Sequence, residues 1–296
     1  MTWTRINIQR WLLTPIAIFL LPIVLDSCLQ FRMSKREINT YFKNKSQPAE
    51  LRQYAVGKRT LNYLVTGQAG KPVIMFIHGS PGSLSAFIDF MADSALLSRA
   101  ELISVDRPGF GASDFGYAEP SLKKQAALLK PILEERKNNR PIILVGHSLG
   151  GPLIARMAID YPELVDGLIM VAPSIDPNLE PHEWFRAPLA TPFLKWLLPR
   201  SLRASNDEIY QLKPELEELV PLWKQITTPT LVIQGTRDSL VDPGNADFAK
   251  TMLVNAPITI QLLEGIDHFI PWSHPETIRA ATLEFLDHHT WAANKK

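Results

Sequence analysis

The sequence predicts an α/β protein: a mostly parallel, doubly wound sheet with one inserted helical segment. Three observations carry that prediction. From Leu61 onwards, short apolar runs of strand length alternate with longer stretches of helical periodicity. That order places a parallel sheet between two helical layers. The run VIMFI at 73–77 is apolar at every position, as a strand covered on both faces requires. Finally, the alternation breaks between Ser174 and Thr227 and then resumes, which marks an insertion into a continuing pattern.

Taken in order, 61–65 and 73–77 read as strands, and 85–97 has helical periodicity. The next strand is 102–105, followed by a helix at 121–136 with apolar residues at 122, 126, 129 and 133. A strand at 142–145, a helix at 149–160 and a strand at 168–171 follow. The interruption carries Trp184, Phe185, Phe193, Trp196 and Trp223 among prolines at 177, 181, 188, 192, 199, 214 and 221. It is too long for an ordinary loop and reads as a mostly helical cap over 174–227. Strands at 230–234 and 258–263 and helices at 244–252 and 275–287 complete the pattern. The core is therefore expected over 56–173 and 228–291. The polar stretch 29–55, with Lys35, Arg36, Lys43 and Lys45, reads as a tether.

Composition sets outer bounds. The 296 residues can bury one large core, and a net charge of +1 provides no field to attract nucleic acid. A single cysteine, Cys28, excludes an intrachain disulfide. Arg5 and Arg10 precede an uncharged stretch at 11–25, interrupted by Thr14, Pro15 and Pro22. At about 15 residues it falls short of the ~20 that span a bilayer, and it reads as a secretory signal or an anchor over 1–28. Leu25-Asp26-Ser27-Cys28 resembles the cleavage box of bacterial lipoproteins, in which the cysteine is acylated, although Asp26 departs from that pattern. The expectation is export and membrane association through the N-terminus.

The chemistry concentrates in Gly146-His147-Ser148-Leu149-Gly150, between the apolar run IILV and a helical segment. Strand, sharp turn and helix are the context a nucleophile elbow requires. Its flanking positions need residues without a bulky Cβ. The N–H of Leu149, at the start of a helix, is suited to a developing oxyanion. Upstream, His78-Gly79-Ser80-Pro81-Gly82 directly follows VIMFI. An oxyanion hole draws its second backbone donor from that loop, and Ser80 is the candidate because Pro81 has no N–H. His78 is expected to brace the loop. Asp106-Arg107-Pro108-Gly109-Phe110-Gly111 reads as a turn held by internal pairing or backbone hydrogen bonds.

The order HGSPG, DRPGFGAS, GHSLGG, GTRDSLVDP and DHF resembles the α/β-hydrolase superfamily, in its serine branch with a helical cap, over about residues 59–288. The resemblance implies Asp238 as the acid after the penultimate strand and His268 as the base after the last. The chain order Ser, Asp, His suits that fold. Asp176 and Asp242 remain alternatives for the acid. Among the other histidines, His288 and His289 end the terminal helix, His274 enters it, and His147 is expected to face away from Ser148. His182 lies in the cap within reach of substrate.

These roles imply a small-molecule acyl substrate, with an apolar pocket suggested by the aromatic cap, and need no metal or organic cofactor. A serine at the elbow argues against the epoxide hydrolases and haloalkane dehalogenases of the superfamily, which carry aspartate there. Ester hydrolysis leads. Acyl transfer, C–C bond hydrolysis and perhydrolysis use the same triad, and a binding protein without catalysis is the reading from another class.

Overall fold

A computed structural model describes Asp26, residues 29–138 and residues 140–288. The strands are β1 (Ala49–Val56), β2 (Arg59–Thr66), β3 (Val73–Ile77), β4 (Glu101–Val105), β5 (Ile142–His147), β6 (Gly167–Val171), β7 (Thr230–Gly235) and β8 (Ile258–Leu263). They form one sheet in the order β1-β2-β4-β3-β5-β6-β7-β8. β2 runs antiparallel to both β1 and β4, and every pairing from β4 to β8 is parallel.

Helices cover both faces: α1 (Lys35–Phe42), α2 (Ser94–Arg99), α3 (Leu122–Arg136) and α4 (Gly150–Asp160), and after the cap α8 (Asn245–Met252), α9 (Ile270–Ser273) and α10 (Pro275–His288). The period of two in β3 explains the two layers. Val73, Met75 and Ile77 enter one apolar cluster with α3 and α4, while Ile74 and Phe76 enter the other with Phe87 and Phe90. Phe76 stacks on Phe87 at 4.9 Å.

Two stretches depart from the sequence expectation. Much of 29–55, read as a tether, is folded: Ser34 and Glu37 form a capping box at α1, and β1 pairs along its whole length with β2. The strand signal was faint because β1 is an edge strand with polar residues on its outer side. The helix expected over 85–97 is instead two 3₁₀ turns, Leu84–Phe87 and Phe90–Ala92, followed by α2. Asp93 divides them by accepting the N–H groups of Ala95 and Leu96 as an N-cap.

The stretch 174–227 contains α5 (Arg186–Ala190), α6 (Pro192–Lys195), the long α7 (Arg200–Leu219) and a 3₁₀ turn, Val220–Gln225. Trp223, at the foot of this unit, is fully buried and meets Phe248 edge-on at 5.8 Å. Trp223→Ala is therefore expected to cost about 3–5 kcal/mol, read as a lower urea midpoint. An unchanged midpoint would show that the foot of the cap contributes nothing to the core. The signal or anchor read over 1–28 lies outside the described residues apart from Asp26, as do Cys28 and His289. Among the described residues no helix is long and apolar enough to cross a membrane.

Candidate active site

The carboxyl ends of β3, β5, β7 and β8 converge on one edge of the sheet, where open α/β sheets gather their ligands. Ser148 follows β5 with φ +55°, a left-handed conformation that a serine adopts only where its surroundings impose it. The crowding is visible at the flanks. A Cβ on Gly146 would lie 2.4 Å from the carbonyl of Gly150, and one on Gly150 would lie 2.4 Å from the carbonyl of Ile77. The Ser148 N–H donates to the Val171 carbonyl at 3.0 Å, which ties the turn to the neighbouring strand. Leu149 is the N-cap of α4.

Asp238 and His268 come from the loops after β7 and β8. His268 Nδ1 lies 2.7 Å from Asp238 Oδ2, and both side chains are almost wholly buried. The other carboxylate oxygen accepts the N–H groups of Leu240 at 2.9 Å and Val241 at 2.8 Å. Burial would raise the Asp238 carboxyl, but the His268 hydrogen bond and these backbone donors outweigh it and hold it below the ordinary carboxylate range. Asp238 is thus an ionised acceptor that directs the histidine proton to Nδ1 and leaves Nε2 as the second ring nitrogen.

Ser148, Leu149, Ser80 and His268 line one cavity of about 960 Å³. The HGSPG loop presses against the elbow so closely that a Cβ on Gly79 would lie 2.9 Å from the Ser148 Cβ. The cap supplies an apolar wall, including Leu189, Leu198, Leu202, Ile209 and Leu212. Glu180, Glu183 and Arg186 bring charge to the same space. Among the described residues no cluster of His, Cys, Asp and Glu has metal-binding geometry.

Other predicted residues take supporting places. His78 is buried, its Nδ1 is 2.6 Å from the Gly79 carbonyl, and its Nε2 accepts the Arg107 N–H at 3.1 Å. Burial and the neighbouring Arg107 push its pKa well below the ordinary range, so it braces the loop as a neutral ring. Asp176 and Asp242, the alternatives for the acid, build turns. Asp176 accepts the Asn178 N–H at 2.9 Å and Asp242 the Gly244 N–H at 2.8 Å. His182 is exposed and does not line the cavity. His274 contacts the Ser273 hydroxyl at 2.9 Å.

Two readings need correction. His147 is not directed away from the site: it lines the cavity, its Nε2 is 3.1 Å from the His268 carbonyl, and its ring lies 4.7 Å from the His268 ring. Burial, together with the nearby His268, pushes its pKa down to about 3, and a neutral donor at that carbonyl steadies the His268 loop. No feature of GHSLG distinguishes this contact, which depends on a residue 121 positions away. The DRPGFG turn is likewise only partly self-contained. Asp106 accepts the N–H groups of Leu84 at 2.7 Å and Ala112 at 2.8 Å. Arg107 instead pairs with Glu208 on α7 of the cap, both fully buried. The sequence pattern of α7 carried no signal for that partner.

A model of the α/β hydrolase fold matches residues 72–203. The chain is 26% identical over 274 residues to a 2-(acetamidomethylene)succinate hydrolase of Mesorhizobium japonicum, covering 80% of this chain and 95% of that one. It is 23% identical over 261 residues to a monoglyceride lipase homolog of Monkeypox virus, covering 76% and 90%. The crystal structure of a membrane phospholipase A, a bacterial virulence factor, superposes with a TM-score of 0.63 at 20% identity, covering 97% of this chain and 100% of that one. With its eight-stranded sheet, its strained serine turn and these similarities, the chain has the α/β hydrolase fold, and residues 72–203 carry the match to that family.

Proposed function

We propose that this hydrolase cleaves a carboxylic ester through Ser148, His268 and Asp238 by way of an acyl-enzyme. The observation that carries the reading is a serine at φ +55° sharing one cavity with a histidine whose Nδ1 is held 2.7 Å from a buried carboxylate. His268 Nε2 takes the hydroxyl proton as Ser148 Oγ bonds to the ester carbon. Asp238 stabilises the imidazolium without itself taking the proton. The N–H groups of Leu149 and Ser80 receive the oxyanion. Collapse expels the alcohol, protonated by His268, and water activated by the same ring releases the acid. The apolar wall from the cap suits an acyl chain, and one relative is named for a monoglyceride lipase. The short apolar stretch at 11–25 supports export and membrane association.

The reading is tested with p-nitrophenyl esters of increasing chain length and with a fluorophosphonate probe. Turnover is expected, with kcat/KM rising as the chain fills the cavity, and a single adduct is expected on Ser148. Labelling that survives Ser148→Ala would sink the assignment. Adding alcohol or peroxide as a competing acceptor separates hydrolysis from acyl transfer and perhydrolysis.

A further inference from the structure

All five N–H groups of the Arg107 side chain are engaged inside the protein. Nε donates to the His78 carbonyl at 2.9 Å, and Nη2 to the Gly79 carbonyl at 2.9 Å. Nη1 donates to Gln125 Oε1 at 3.0 Å, and the fork grips both oxygens of Glu208 at 2.8 and 2.9 Å. Gln125 closes the network by donating to Glu208 Oε1 at 3.0 Å. None of these side chains reaches solvent. The two carbonyls held by Arg107 are those immediately before Ser80, whose N–H is the second oxyanion donor in the reading above. Glu208, the carboxylate that orients the guanidinium, belongs to the cap.

We infer that Arg107 and Glu208 are positioning residues that set the Ser80 end of the oxyanion hole, and that the hole is complete only when α7 of the cap is seated on the core. A planar guanidinium fixed on both edges holds two successive carbonyls at defined angles. Without the carboxylate, the buried cation has no opposing charge and reorients, and the loop follows it. Burying an ion pair rarely gains stability over an apolar pair, so loop geometry is the benefit this arrangement explains. The inference rests on the proposed Ser148 chemistry.

The test compares Glu208→Gln with wild type on a p-nitrophenyl ester and on a trifluoromethyl ketone of the same acyl chain. The ketone forms a tetrahedral adduct that uses the oxyanion hole. The expected result is a kcat lower by about tenfold or more with KM within about twofold, since removing a whole donor costs ~10²–10³. Ketone affinity should fall in parallel with kcat/KM, while affinity for the product acid stays unchanged. A structural role alone would lower the melting temperature and leave the ketone-to-product ratio as in wild type. If Glu208→Gln does not fold, Arg107→Met/Glu208→Leu removes both charges, and Gln125→Leu weakens the grip without removing the pair. Either of these, folded and with wild-type kcat and ketone affinity, overturns the inference. Wild-type protein that neither turns over esters nor labels at Ser148 overturns the underlying reading instead.

Discussion

Ser148→Ala is expected to lower kcat by about 10⁶-fold, because in the proposed triad the nucleophile and its base act as a unit and losing either would remove nearly the whole covalent route. His268→Ala should fall to a similar floor, and the double variant no further. The floor itself is informative: in the best-studied triad a residual ~10³–10⁴ over water comes from the oxyanion hole and binding alone. Both substitutions lie in loops at the sheet edge and leave the apolar clusters on either face intact. Thermal stability should therefore stay within a few degrees of wild type. The measurement is kcat on one saturating ester, with circular dichroism on the same samples. Turnover retained by a folded His268→Ala protein would require another base. His182 does not line the cavity, and His147 is turned to the His268 carbonyl.

Asp238→Asn is expected to lower kcat by about 10⁴-fold, since an asparagine at that place favours the wrong imidazole tautomer. The geometry states why. Asp238 Oδ2 faces His268 Nδ1 while Oδ1 already accepts two backbone N–H groups. The carboxamide would keep its oxygen on those donors and turn its NH₂ towards the ring. His268 would then accept at Nδ1 and carry its proton on Nε2, where the serine needs a base. Asp176→Asn, by contrast, should change kcat by less than about tenfold, roughly 1.4 kcal/mol in barrier, because the Asp176 carboxylate closes its own turn with Asn178. The two variants are compared on one ester under saturation. The opposite ranking would move the acid to the loop before the cap.

Much of this was legible beforehand. The alternation of apolar runs, the fully apolar VIMFI and the break at 174 determined a parallel sheet with an insertion, because burial on both faces of a strand leaves no room for polar residues. GHSLG between a buried strand and a helix determined the elbow, because the crowded turn admits nothing larger than glycine at its flanks. The resemblance favours Asp238 over Asp176 as the acid; in the structure the Asp238 carboxylate touches His268 and that of Asp176 touches Asn178. Other features belonged to tertiary structure alone. The edge strand β1 is held by pairing rather than by its own apolar pattern, so its residues resembled a tether. His147 steadies a carbonyl 121 positions away, and Arg107 finds its carboxylate 101 positions away. A side chain's local sequence states its chemistry, whereas its partner depends on which distant elements the packed sheet brings alongside it. Here that is what joins the cap to the loop beside Ser148.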